Sequence, residues 1–151
     1  RSGPQVIVDE ARRRPGEITL VTLGPLTNLA VAVLIEPALP RLLRRWVLMG
    51  GAFRVPGNTT PTTEWNLHCD PEAARICFAA WQAAVDADPS VPRALVMGLD
   101  VTEQARILPD DVAEIAARAG ATWAPFRPTE RVMASLALAT RSLRVAFSSS
   151  E

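Results

Sequence analysis

Between Met49 and Asp70 the chain reads MGGAFRVPGNTTPTTEWNLHCD, and this stretch holds the side chains best suited to chemistry. Asn58, Glu64 and Asn66 contribute two carboxamides and one carboxylate. A hydroxyl group both donates and accepts, so a set that offers N–H donors beside oxygen acceptors suits a polyhydroxylated ligand such as a sugar. Glu64 and Asn66 are two apart; in an extended segment they share a face, with Trp65 turned to the other. The alternative is a solvated loop whose polar residues initiate turns, a reading that fits Asn58 after Gly57 best.

The other candidates point less clearly to a ligand. Asp100 follows an apolar run and caps or turns the chain as readily as it binds anything. His68, the single histidine, reads as a packed or surface residue. Asp110 and Asp111 stand where a helix begins, and complementing its dipole is the simpler account. Cys69 and Cys77 match no common zinc spacing and read as buried free thiols. Trp46, Trp65, Trp81 and Trp123 have no basic interleaving, so they are expected in a core or pocket wall. The absence of GxGxxG, GxxxxGK and GxSxG patterns counts against dinucleotide, nucleoside triphosphate and hydrolase-triad chemistry.

An α/β scaffold is what could position such a loop. Glu17 to Leu23 (EITLVTL), Trp46 to Met49 and Ala94 to Leu99 are short, aliphatic and partly β-branched, as buried parallel strands are. Residues 6 to 14 suggest the end of an amphipathic helix stopped by Pro15-Gly16. Leu26, Leu29, Ala30, Val33 and Leu34 recur at helical spacing, predicting a helix with that face against the sheet. Leu39, Leu42 and Leu43 suggest a further short turn of helix. Asp70-Pro71-Glu72 is a strong helix start, with Asp to accept first-turn amides, Pro at the first helical position and Glu to complement the dipole; the helix is expected to run to about Ala84. Another helix is expected from Leu108-Pro109, with Val112, Ile115, Ala116 and Ala119 on one face, and Val132 to Ala139 also has helical character. The strands would end at Leu23-Gly24, Met49-Gly50-Gly51 and Leu99-Asp100, on the edge of a parallel sheet where ligands bind.

Composition limits the alternatives. With 151 residues, 48% of them hydrophobic and 21% charged, the chain allows one domain with a real core. Zero formal charge leaves no electrostatic footprint for nucleic acid or an anionic membrane. No uninterrupted apolar run reaches about 18 residues, the length of a transmembrane span. The start, RSGPQVIVDEARRR, lacks a signal-peptide layout and reads as the middle of something longer, and a cytoplasmic location is expected.

Three segments together, ITLVTLGPLTNLAVAVLIEP, VLMGGAFRVPGNTTPTTEWNLHCDPEAARICF and VMGLDVTEQA, closely resemble the central part of the inosine-uridine preferring nucleoside hydrolases. The resemblance runs from about Val6 to Leu108 and rests on the GPLTN, MGG, GN, E-x-N and DPEAA elements in order. It implies an open, mostly parallel sheet flanked by helices, with residues 1–120 a partial nucleoside hydrolase domain and 121–151 an unmatched tail. It also implies hydrolysis of the N-glycosidic bond of ribonucleosides, a calcium ion in the complete domain, and assembly into homo-oligomers. Carried over by position, Asn58 and Glu64 would hold the 5′-hydroxyl side of a ribose, Asn66 its lower hydroxyls, and Met49 would line the pocket. Leu23 would offer its backbone carbonyl to the metal. The family's Asp-rich D-x-D-x-G-x-D-D motif, with its general base, and its later His-Asp pair do not occur in these 151 residues. The chain alone is therefore expected to be inactive and to bind calcium weakly. A noncatalytic ribose-binding module and a truncated product without function are the alternatives.

Overall fold

A computed structural model describes residues 1–105 together with Leu108, Asp111, Glu114, Ile115 and Arg118. The chain divides into two units, Arg1–Asp100 and Val101–Glu151. The first begins with α1 (Gly3–Arg13), whose Pro4 suits a first turn and whose Val8 and Ala11 are buried. Next come β1 (Thr19–Thr22), α2 (Thr27–Ile35), the short α3 (Leu39–Leu42) and β2 (Arg45–Met49). A long loop then leads to α4 (Trp65–Cys69), α5 (Pro71–Ala87) and β3 (Leu95–Met97), and α6 (Leu99–Thr102) closes the order.

The three strands form one parallel sheet in the order β1-β2-β3. Parallel neighbours need crossovers, and the helices between β1 and β2 and between β2 and β3 supply them. The register pairs Leu20 with Trp46, and Leu48 with Thr22 on one side and Val96 on the other. Alternation therefore puts Leu20, Trp46, Leu48 and Val96 on one face. All four join the core cluster, with Leu26, Leu29, Cys77 and Trp81 from the helical layer. Trp46 stacks in tilted geometry on Trp81 at 4.5 Å and on Phe78 at 5.4 Å. On the opposite face Val21 and Leu95 are 43% and 49% exposed. The arrangement is the expected α/β one, an open parallel sheet flanked by helices.

Several local expectations need correction. Leu34 is 66% exposed and Ala32 takes the buried place in α2, because a helix apolar on every side does not reveal its inner face by pattern. Cys69 is exposed at the end of α4, and only Cys77 is a buried thiol. Trp65 is exposed, while Trp46 and Trp81 are core residues; Trp123 lies outside the described residues. Pro109, Asp110, Val112, Ala116, Ala119 and the segment Val132 to Ala139 lie outside them too. Within the second unit, Asp111 accepts from the Leu108 N–H at 3.0 Å and Arg118 pairs with Glu114 at 2.7 Å.

Candidate ribose-binding site

The carboxyl ends of β1 and β2 lie side by side, since Thr22 is in register with Leu48, and the chain leaves β2 through Gly50-Gly51. Gly51 has φ of 87°, a left-handed conformation that a side chain would strain. Its N–H points back at Glu64 and donates to Oε2 at 3.1 Å.

Glu64 is the N-cap of α4, which corrects the extended geometry expected for Glu64, Trp65 and Asn66. Its Oε1 accepts from the Asn66 N–H at 2.8 Å and its Oε2 from the Leu67 N–H at 3.2 Å. The carboxylate is thus held by three backbone donors while the residue is only 2% exposed. An ionised carboxylate has about four acceptor positions, so this leaves about one free.

Because α4 begins at Trp65, Asn66 turns inward and is buried, and Trp65 turns out. The Asn66 carboxamide nitrogen donates to the Met49 carbonyl at 3.0 Å and reaches the Leu23 carbonyl at 3.5 Å and the Met49 sulfur at 3.2 Å. One side chain therefore joins the ends of two strands, and Leu23, Met49, Glu64 and Asn66 come together. The Asn66 carboxamide oxygen has no hydrogen-bond partner among the described residues.

Asn58 stands apart at the exposed rim. Its carboxamide oxygen accepts from the Trp65 N–H at 2.9 Å, which ties the polar loop to the start of α4 and leaves the Asn58 amide nitrogen as a donor. His68 is exposed on α4 outside this set.

Asp100, ambiguous in the sequence, clasps the other end of the loop. Its carboxylate accepts from the Phe53 N–H at 2.9 Å and the Arg54 N–H at 2.7 Å. The Phe53 N–H above all, and then that of Arg54, holds its carboxyl below the usual aspartate range despite some desolvation. The contact joins positions far apart in the sequence, so only the adjacency of β2 and β3 reveals it. An aspartate directly after an apolar run, opposite a Gly-Gly turn, is the one signal the sequence offers for it.

Asp70 links the site to the helical layer. It ends α4 and caps α5, accepting from the Ala73 N–H at 3.0 Å and from the Thr27 hydroxyl of α2. The Thr27 hydroxyl, followed by the Ala73 N–H, lowers the Asp70 carboxyl from its ordinary value. Burial pushes the Cys77 thiol up to about 12, with Asp70 adding to the effect, so Cys77 is no nucleophile.

Calcium takes six to eight oxygen ligands. Here the Leu23 carbonyl already faces Asn66, and no group of three His, Cys, Asp or Glu side chains converges among the described residues. These residues do not fit a calcium ion by themselves.

The model of the inosine-uridine preferring nucleoside hydrolases matches residues 1–146. The chain belongs to that family. The match extends beyond Leu108, where the motif resemblance stops, and past Gly120. Among its relatives, a protein named "Probable uridine nucleosidase 2" from Arabidopsis thaliana is 42% identical over 120 residues, which cover 80% of this chain and 34% of that protein. A solved plant nucleoside hydrolase, PpNRh1, superposes with a TM-score of 0.64 at 36% identity, covering 75% of this chain and 32% of the other. A purine-preferring ribonucleoside hydrolase from Gardnerella vaginalis superposes with a TM-score of 0.61 at 33% identity, covering 71% and 31%. The chain thus spans about a third of the length of the curated relatives it matches.

Proposed function

We propose that this chain carries the ribose-holding part of an enzyme that hydrolyses the N-glycosidic bond of ribonucleosides, giving ribose and a free base. The observation that carries the reading is the Asn66 carboxamide, whose nitrogen reaches the Leu23 and Met49 carbonyls while its oxygen has no hydrogen-bond partner among the described residues. In this reading Asn66 accepts from a ribose hydroxyl, Glu64 accepts through its remaining lone pair, and Asn58 donates from the rim. Met49 forms the floor. As the base leaves, positive charge develops on the ribose, and oxygen atoms held around the ring favour that state over the ground state. The water's hydroxyl joins the anomeric carbon and its proton balances the departing base.

The same reading makes the 151 residues inactive on their own. They hold no Asp-rich motif to supply a base, and the calcium expected for the complete domain would need ligands from beyond the described residues. A cytoplasmic setting belongs to the same reading. Assay of the purified chain with inosine and uridine, alongside ribose titration followed by amide NMR, tests the proposal. The expected result is saturable ribose shifts at the Asn58 and Asn66 side-chain amides without turnover. Turnover would overturn the inactivity, and undisturbed amides would remove the ribose site.

The alternative reading is a noncatalytic ribose-binding module, which would need no calcium. Ribose binding that persists unchanged with excess chelator, in a protein completed to the length of its relatives and still without turnover, would select that reading.

A further inference from the structure

We infer that Asp100 is a positioning residue for the ribose site, holding the loop that carries Asn58 onto the end of β3. This rests on the ribose reading for what the loop grips, and on hydrogen bonds for the hold itself.

Residues 51–54 leave β2 in a non-repetitive conformation, so their N–H groups have no ladder to join. Two carboxylates take three of them: Glu64 receives the Gly51 N–H, and Asp100 receives those of Phe53 and Arg54. The backbone of the β3 end completes the seam. Gly50 donates to the Met97 carbonyl at 3.0 Å, and the Gly51 carbonyl accepts from Leu99 at 2.9 Å. Contact is close enough that a β-carbon on Gly98 would lie 2.8 Å from the Phe53 ring and 2.9 Å from the Gly51 carbonyl oxygen.

The two carboxylates hold the two ends of one short segment, Glu64 at Gly51 and Asp100 at Phe53 and Arg54. Glu64 draws it toward α4, and Asp100 draws it toward β3. From Arg54 the chain runs to Asn58, whose carboxamide holds the Trp65 N–H at the start of α4. Asp100 therefore sets where the Asn58 amide stands relative to Asn66 without touching a ligand. Asparagine in its place keeps one acceptor oxygen and turns an NH2 group toward the second backbone N–H, so one of the two bonds is lost.

Amide hydrogen exchange on the intact chain tests the assignment, with D100N beside the wild type and D88N as comparison. Asp88 caps the far end of α5 and bonds Ser90 there. Protected Phe53 and Arg54 amides are expected in the wild type. In D100N these two and the Trp65 amide should exchange roughly tenfold faster or more, as loss of a charge-assisted bond implies, while α5 keeps its protection. Ribose should bind D100N more weakly than D88N by a similar factor. Free exchange of Phe53 and Arg54 in the wild type, an unchanged Trp65 amide in D100N, or an equal loss of protection everywhere would each overturn the assignment. Failure of ribose to bind the wild type would instead defeat the ribose reading, and the exchange rates would still decide whether Asp100 holds the loop.

Discussion

The Asn66 carboxamide nitrogen lies 3.0 Å from the Met49 carbonyl oxygen, so a side chain beyond the loop is fastened to the strand end before it. That bond sets the depth at which any ligand could sit, because Met49 is the last residue of β2 and Asn66 belongs to the first turn of α4.

Asn66→Asp should show how much the fastening contributes. The substitution replaces an N–H donor with a carboxylate oxygen facing the Met49 and Leu23 carbonyls. Stability should fall by about 1–3 kcal/mol, the range for leaving buried polar groups unpaired. Urea denaturation monitored by tryptophan fluorescence measures it, and an unchanged midpoint would mean the contact is not maintained in solution.

Glu64→Ala removes the acceptor for the Gly51, Asn66 and Leu67 amides at once. A loss of about 1–3 kcal/mol is expected from the cap and the buried donors together. In a protein completed to the length of its relatives, kcat/KM should also drop by a factor corresponding to about 1.5–3 kcal/mol. Stability loss with unchanged kcat/KM would make Glu64 a loop anchor only.

Acid should weaken the joint at Asp70. Its carboxyl is lowered in the folded chain, chiefly by the Thr27 hydroxyl and then by the Ala73 N–H. A depressed folded pKa means the contribution is fully present above the unfolded value, near pH 4, and disappears as pH falls through the folded one. Melting temperature should therefore decline below about pH 4, and Asp70→Asn should flatten that decline. An identical pH profile in the variant would exclude Asp70 as a source.

Thiol labelling should separate the two cysteines. Cys69 is exposed, whereas burial holds the Cys77 thiol up at about 12. Iodoacetamide near neutral pH should modify Cys69 in the native chain and reach Cys77 only after denaturation, as peptide mass spectrometry would report. Equal native labelling would show that the core around Trp81 opens readily.

Much of the scaffold is legible in the sequence because its signals are local. Aliphatic runs mark all three strands, and Asp70-Pro71-Glu72 marks the start of α5, since a cap, a first-turn proline and an acidic first turn act within one helical turn. The site is only partly legible. Glu64 and Asn66 are visible as polar partners, but WNLHC is too short to display a helical period, so the capping role of Glu64 stays hidden. The clasp between Asp100 and the Phe53 and Arg54 amides depends on strand adjacency and leaves no mark in either segment alone. After Thr27 and Asn28, α2 reads LAVAVLI and is apolar on all sides, which is why its spacing points Leu34 inward although the residue lies outward.

Asp70 is the only residue between α4 and α5. It lies outside the helical region, with φ −150° and ψ 77°, and its carboxylate holds the Ala73 N–H and the Thr27 hydroxyl, so α4 meets α5 across a single tied joint. An insertion or deletion there would change the angle between the two helices and draw the Asn66 carboxamide away from the strand ends. The stretch between Arg54 and Thr63 holds no helix and does not set that angle. Length variation introduced there could reshape the rim while the floor keeps its register, which makes the loop, and not the joint, the place to engineer a different ligand preference.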